Sequence, residues 1–168
     1  MSNKLKTRGR WRTKLEKRQE PKLVDVPEAW VAKYGEGQML IATPLLVDGL
    51  IRQVSNGRLV TIDQIREHLA KDFGAGSTCP LTTGIFIRIS AEAAVEDMDA
   101  GKEDCTPYWR VIRGDGSLVD KLPGGVEAQS ERLREEGHTI EVGRGKKTPR
   151  VGGFKERLAK LRGVIAIT

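Results

Sequence analysis

The stretch "RLVTIDQIREHLAKDFGAGSTCPLTTGIFIRISAEAAVEDMDAG", residues 58–101, leaves the chain few ways to fold. Thr61 and Gln64 stand at capping-box spacing, so hydroxyl and amide can exchange hydrogen bonds with the first free backbone N–H groups of a helix. Ile62, Ile65, Leu69 and Phe73 recur at helical spacing as a buried stripe, and Gly74 ends the run. After "AGSTC", Pro80 opens a second helix over about 80–98, at a position where its missing N–H costs nothing. A helix with a sharp exit, a turn of five residues and a second helix form a helix-turn-helix pattern. That pattern suits a DNA-binding module and equally suits two helices packed in an ordinary core. Both readings stand on these residues alone.

The flanking segments narrow the fold class. Thr43 caps "PLLVDGLIRQVSNG", with Pro44 in its first turn and Leu46, Leu50 and Val54 on one face, and Asn56-Gly57 stops it. Upstream, "DVPEAWVAKYGEG" predicts a short helix between Pro27 and Gly35, and "QMLIA" a brief strand. Downstream, "YWRVIR" alternates as a strand, "GDGS" is turn chemistry, and "LVDK" is the expected returning partner. Gly124-Gly125 precede the helix "VEAQSERLREEG", whose Val126, Gln129 and Leu133 face inward and which Gly137 ends. "HTIEVGRGKKTPRV" reads as an extended basic segment, and "FKERLAKLRG" as a last helix with Phe154, Leu158 and Leu161 on one side. The expected fold is mainly α with a small β-hairpin, a winged helix-turn-helix-like domain with basic terminal extensions.

Charge divides the chain into three parts. Residues 1–18 carry eight cations against Glu16, and residues 144–168 carry eight against Glu156. The whole chain is +6, so residues 19–143 hold a net −8. Residues 1–20 are therefore expected as a basic arm or marginal helix in which only Leu5, Trp11 and Leu15 can dock. Residues 21–143 form the expected domain, and 144–168 a basic extension with a short helix. Basic arms favour nucleic acid or another polyanion through counterion release and long-range steering. The plainer alternative is that they only solubilise.

Other features exclude classes. No apolar run reaches membrane-spanning length, and the basic N-terminus lacks the apolar core of a signal peptide, so a cytoplasmic protein with no membrane partner is expected. Cys79 and Cys105 make no disulfide framework. Cys79 precedes a helix, the setting that favours a thiolate; the alternative is an inert small side chain. His68 and His138 lack metal-ligand spacing, so neither metal nor cofactor is expected, and His138 reads as a surface contact at a helix end.

The order of elements resembles the DNA-binding domain of alkylguanine-DNA alkyltransferases and their alkyltransferase-like relatives, over roughly residues 38–140. Its most specific pieces are "PYWRVIRGDGSL", similar to the family's P-C-H-R-V and the turn after it, and "GG…Q…LREEGH", similar to the helix that follows. "VDGLIRQVSNGRLVTIDQI" is similar to the family's opening helix and the first helix of its helix-turn-helix. In the alkyltransferases the motif cysteine accepts an alkyl group from a flipped guanine, kept thiolate-like by a histidine and a glutamate. Here Tyr108 stands at the cysteine position and Trp109 at the histidine position. Arg110 and Glu136 match the arginine and the glutamate, and the hinge asparagine has no counterpart near Ala100. A phenol with a pKa of about 10 cannot replace the thiol, so the resemblance implies no catalytic residue and no methyltransferase activity.

What the resemblance does imply is a monomeric, non-enzymatic protein that binds alkylated or distorted double-stranded DNA in DNA repair, alone or with a repair partner. Tyr108, Trp109, Arg110 and Glu136 become the former acceptor site and a base-sized pocket. Thr82, Thr83, Gly84, Arg88, Lys146, Lys147 and Arg150 become the DNA contacts. The family's phosphate-pressing tyrosine falls on Ile62 and its arginine finger on Gly84, or on Thr83 with one position of slippage. Each residue has a plainer reading: Tyr108 and Trp109 as core, Arg110 paired with Glu136 as a structural remnant, Thr83 and Gly84 as close helix packing. Glu92, Glu96, Asp97 and Asp99 are expected to repel a DNA backbone from the far half of that helix. The rival function is a repurposed winged-helix module that binds a protein or RNA. A third, with Cys79 or Cys105 as the alkyl acceptor, is the enzymatic alternative.

Overall fold

The computed structural model of the protein describes residues 9–163. Lys4, Leu5, Lys6 and Arg8 of the expected arm lie outside the described residues. Helix α1 (Arg10–Glu16) precedes strand β1 (Lys22–Asp25), and a 3-10 turn at Glu28–Trp30 runs into α2 (Val31–Tyr34). Then come β2 (Gln38–Ile41), α3 (Pro44–Arg52), β3 (Val60–Thr61), α4 (Ile62–Asp72), β4 (Ser77–Thr78) and α5 (Pro80–Asp99). A 3-10 turn at Tyr108–Arg110 leads into β5 (Val111–Ile112), followed by α6 (Gly125–Glu135), β6 (Ile140–Glu141) and β7 (Arg150–Val151). A 3-10 turn at Phe154–Arg157 follows them. The fold is mainly helical with small sheets, as the sequence implies.

The helix signals act locally as their chemistry dictates. Thr43 Oγ1 accepts the Leu46 N–H at 3.2 Å, and the Thr61–Gln64 box closes at 3.0 and 2.9 Å. α4 and α5 make the helix-turn-helix. The link between them is fixed from both sides: Thr78 Oγ1 donates to the Arg66 carbonyl at 2.7 Å, and Arg66 Nε donates to the Thr78 carbonyl at 3.0 Å. β4 in that link adds parallel to β2, pairing Leu40 with Thr78, while β1 pairs antiparallel on the other edge of β2. The turn is thus part of a three-stranded sheet, and the start of α5 is held rigidly. Leu50, Ile51, Leu59, Ile65, Leu69, Ile112, Leu118 and Leu133 fill the core between the helices.

Two expectations change. The hairpin is real but lies elsewhere. "YWR" coils into a 3-10 turn, β5 pairs parallel with β3, and the antiparallel hairpin is β6–β7, within the segment expected to be merely extended. "LVDK" does not return along "YWRVIR". The expected turn at 113–117 closes, with Gly116 N–H on the Arg113 carbonyl and Arg113 N–H on the Ser117 carbonyl, both at 2.9 Å. Beyond it the pairing is with the C-terminal segment, with Val151 N–H on the Gly116 carbonyl and Leu118 N–H on the Pro149 carbonyl, both at 2.9 Å. Gly116 is required there: its φ is +88°, and a Cβ would collide with the Phe154 ring.

The second change is at the C-terminus, where "FKERLAKLRG" forms only one 3-10 turn. Its backbone is claimed by the core. Leu59 donates its N–H to the Arg157 carbonyl at 2.9 Å and accepts the Ala159 N–H at 2.8 Å on its own carbonyl. Gln64 Nε2 holds the Ala159 carbonyl at 3.0 Å, and the Gln53 amide brackets Arg162. At the N-terminus the helical alternative is the one observed. Residues 10–16 are a docked helix, with Leu15 buried to 1% exposure.

Candidate nucleic-acid interface

The 3-10 turn after Pro107 puts both aromatic side chains on the inner side, at 5% exposure for Tyr108 and 9% for Trp109. Strand alternation predicts opposite faces; the tighter turn removes that alternation. The rings meet edge to face, with centroids 5.3 Å apart. The Arg132 guanidinium lies 4.3 Å from the Trp109 ring centre and that of Arg110 at 5.4 Å, so the indole sits between two cations. Burial pushes the Tyr108 phenol up, against the opposing pull of Arg132. A base can stack here only if one of these rings moves.

Arg110 and Glu136 come together, as one of the two sequence readings has it. Arg110 Nε and Nη2 reach the Glu136 carboxylate at 2.8 and 2.6 Å, and Nη1 donates to the Val54 carbonyl at 2.6 Å. Gln129 completes the support: its Nε2 donates to the Trp109 and Val111 carbonyls at 3.0 and 2.7 Å, and its Oε1 accepts the Val119 N–H at 2.8 Å. A network that the sequence did not suggest anchors the approach to this turn. Ser90 and Thr106 hydroxyls donate to buried Asp48 Oδ1 at 2.6 and 2.7 Å, and Arg52 Nε reaches Oδ2 at 2.9 Å. Asp-Ser-Thr contacts across such sequence separations leave no periodic signal. Cys105, next to Thr106, donates to the Lys102 carbonyl, and burial and then Asp97 push its thiol up, away from thiolate.

The first turns of α5 differ residue by residue. Thr83 is fully buried and its hydroxyl bonds back to the Cys79 carbonyl at 2.7 Å, which removes it from the set of DNA contacts. Thr82 is half-buried, while Gly84 and Arg88 are exposed. Open space surrounds the place of a Cβ at Gly84, so that glycine does not serve close helix packing. Beside it stand Leu81 at 66% exposure and Ile85 at 52%. With Ile62 and Val119 they line a groove of about 360 Å³, which Arg88, Arg113 and Lys121 rim.

The β6–β7 hairpin pairs with residues 116–118, between Arg113 and Val119 of the groove lining. It carries exposed Arg144, Lys146, Lys147 and Arg150. The helix end and the 113–121 turn share the groove, and the basic hairpin is held to that same turn by its backbone.

The acidic half of α5 is answered from within the chain. Glu96 accepts the Trp11 N–H at 2.7 Å at the start of α1, and Asp97 holds the Arg12 guanidinium, with Lys102 Nζ at 3.5 Å. Of the four carboxylates expected to repel a DNA backbone, Glu96 and Asp97 are engaged in this way, Glu92 lies 4.0 Å from Arg88, and Asp99 is exposed. His138 is corrected: it is buried, not a surface contact, and its Nε2 has no hydrogen-bond partner among the described residues. Burial, reinforced by Arg157, holds its pKa below the ordinary histidine value. Among the described residues no three His, Cys, Asp or Glu side chains gather as a metal-holding group, and no helix is long and apolar enough to cross a membrane.

No family model matches the sequence, and no curated protein matches it. A solved structure to which the chain is similar is that of Schizosaccharomyces pombe Atl1 in complex with damaged DNA containing O6-carboxymethylguanine. The two chains are 19% identical, the match covers 70% of this chain and 94% of that one, and the TM-score is 0.46.

Proposed function

We propose that this protein is a non-enzymatic DNA-binding protein of the alkyltransferase-like type, which takes alkylated or distorted duplex DNA on the N-terminal end of α5 and on the basic β6–β7 hairpin. The carrying observation is the placement of exposed cations on three neighbouring elements: Arg88 on α5 beside exposed Gly84, Arg113 and Lys121 on the turn that shares its groove, and Lys146, Lys147 and Arg150 on the hairpin paired to that turn. Phosphates supply most of the affinity of such a surface, and cations spread over three elements can follow a backbone that a single helix cannot. The likeness of "PYWRVIRGDGSL" to the alkyltransferase motif supports the choice of lesion. In this reading Arg110 and Glu136 hold the turn that carries Tyr108 and Trp109, and a lesion reaches those rings only where binding opens the turn. The raised Cys105 thiol and buried Cys79 speak against an alkyl acceptor.

Charge reversal tests the surface. Lys146→Glu/Lys147→Glu, and separately Arg88→Glu, should each weaken duplex binding by about tenfold or more at moderate salt without lowering the melting temperature. Unchanged affinity in both would overturn the assignment. The exposed apolar pair Leu81 and Ile85 favours a second reading, a docking module for a protein segment; there Leu81→Asp would abolish partner binding and leave duplex binding intact.

A further inference from the structure

We propose that Trp11, Arg10, Lys14 and Arg88 form a phosphodiester-binding site that extends the DNA interface from α5 onto α1; the proposal rests on the DNA-binding reading above. Three cations converge on one indole ring: Lys14 Nζ is 4.6 Å from its centre, the Arg88 guanidinium 5.5 Å and that of Arg10 5.9 Å. The ring face offsets part of their mutual repulsion. An anion placed among them relieves the rest.

The neighbouring carboxylates are already engaged. Glu96 accepts the Trp11 N–H at 2.7 Å and the Arg12 N–H at 3.4 Å, Asp97 holds Arg12 and Lys102, and Glu16 pairs with Arg12 at 3.3 Å. Among the described residues, the one ion pair to a cation of the cluster is that of Arg88 with Glu92, at 4.0 Å. Arg10 and Lys14 have no ion-pair partner among the described residues and are both exposed. Arg88 also rims the α5 groove, so the cluster continues the same cationic surface. α1 thus divides its charge: Arg12 turns inward to hold the helix in place, and Arg10 and Lys14 stay available outside. A backbone phosphate is the ligand this suits, since the site offers point charges and no base-reading geometry.

The test is the salt dependence of duplex binding by the full-length protein. Every phosphate that the protein ceases to neutralise makes the slope of log Kobs against log salt shallower by about 0.9, so Arg10→Gln/Lys14→Gln should reduce it by about 1–2. Affinities for plain and alkylated duplexes should fall by the same factor. The charge-keeping pair Arg10→Lys/Lys14→Arg should retain the wild-type slope, which separates loss of charge from damage to the fold. An unchanged slope in the neutral variant, with wild-type binding intact, overturns this site alone. A wild-type protein that binds no duplex overturns the DNA reading and this site with it. Phosphatidylglycerol vesicles titrated in parallel distinguish a lipid phosphate, and cluster-dependent binding to vesicles only would overturn the assignment to DNA.

Discussion

Arg110 spends all three guanidinium nitrogens inside the protein, two on Glu136 and one on the Val54 carbonyl. Both partners are visible in the sequence as motif positions, because a motif fixes residue types at fixed separations. Their mutual occupation is not visible, because it depends on how α6 ends against the turn at Tyr108–Arg110. His138 shows the same limit more sharply. A polar residue after Gly137 reads as surface, but its N–H closes onto the Leu133 carbonyl at 3.0 Å and the side chain turns into the core. In the unfolded chain that imidazole takes up a proton near pH ~6.5, whereas the folded protein resists it. The unfolded state then binds more protons below that pH, so stability must fall on acidification through that value. Urea midpoints measured at about pH 7.5 and 5.5 should drop more for the wild type than for His138→Gln. Equal drops would place the imidazole in solvent.

At the scale of elements, legibility follows the range of the stabilising contacts. α4 carries its own start and stripe: the Thr61–Gln64 box and buried Ile65 and Leu69 lie within one short segment, and the prediction holds. α1 carries neither. Only Leu15 is buried, and the rest of its anchoring comes from Glu96 and Asp97, more than eighty residues away. The C-terminal apolar spacing that predicts a helix is overruled by Leu59 and Gln64, which take the same backbone groups. If α1 is an integral element, Leu15→Ala should cost about 2–4 kcal/mol, the usual loss for a leucine removed from a packed site. Denaturant melts measure it directly. A cost near zero would return residues 10–16 to the status of a loose arm.

At the scale of the molecule, folding brings the basic N-terminal helix against the acidic half of α5. Two carboxylates of α5 meet α1: Asp97 holds the Arg12 guanidinium and Glu96 accepts the Trp11 N–H. Exposed cations gather in three places, the Trp11 cluster, the lining of the α5 groove and the hairpin, while carboxylates such as Asp104, Asp120 and Glu141 also face outward. The sequence announces the basic ends but not where they come to rest, since the hairpin's place depends on its pairing with residues 116–118. The most direct measurement is binding of the intact protein to two short duplexes, identical except for one O6-alkylated guanine, across a salt series. Lesion recognition on this surface predicts binding to both, weakening with salt, and a preference for the alkylated duplex that survives at about 0.15 M. Equal affinities at that salt would contradict lesion recognition, and no binding at any salt would contradict DNA as the partner.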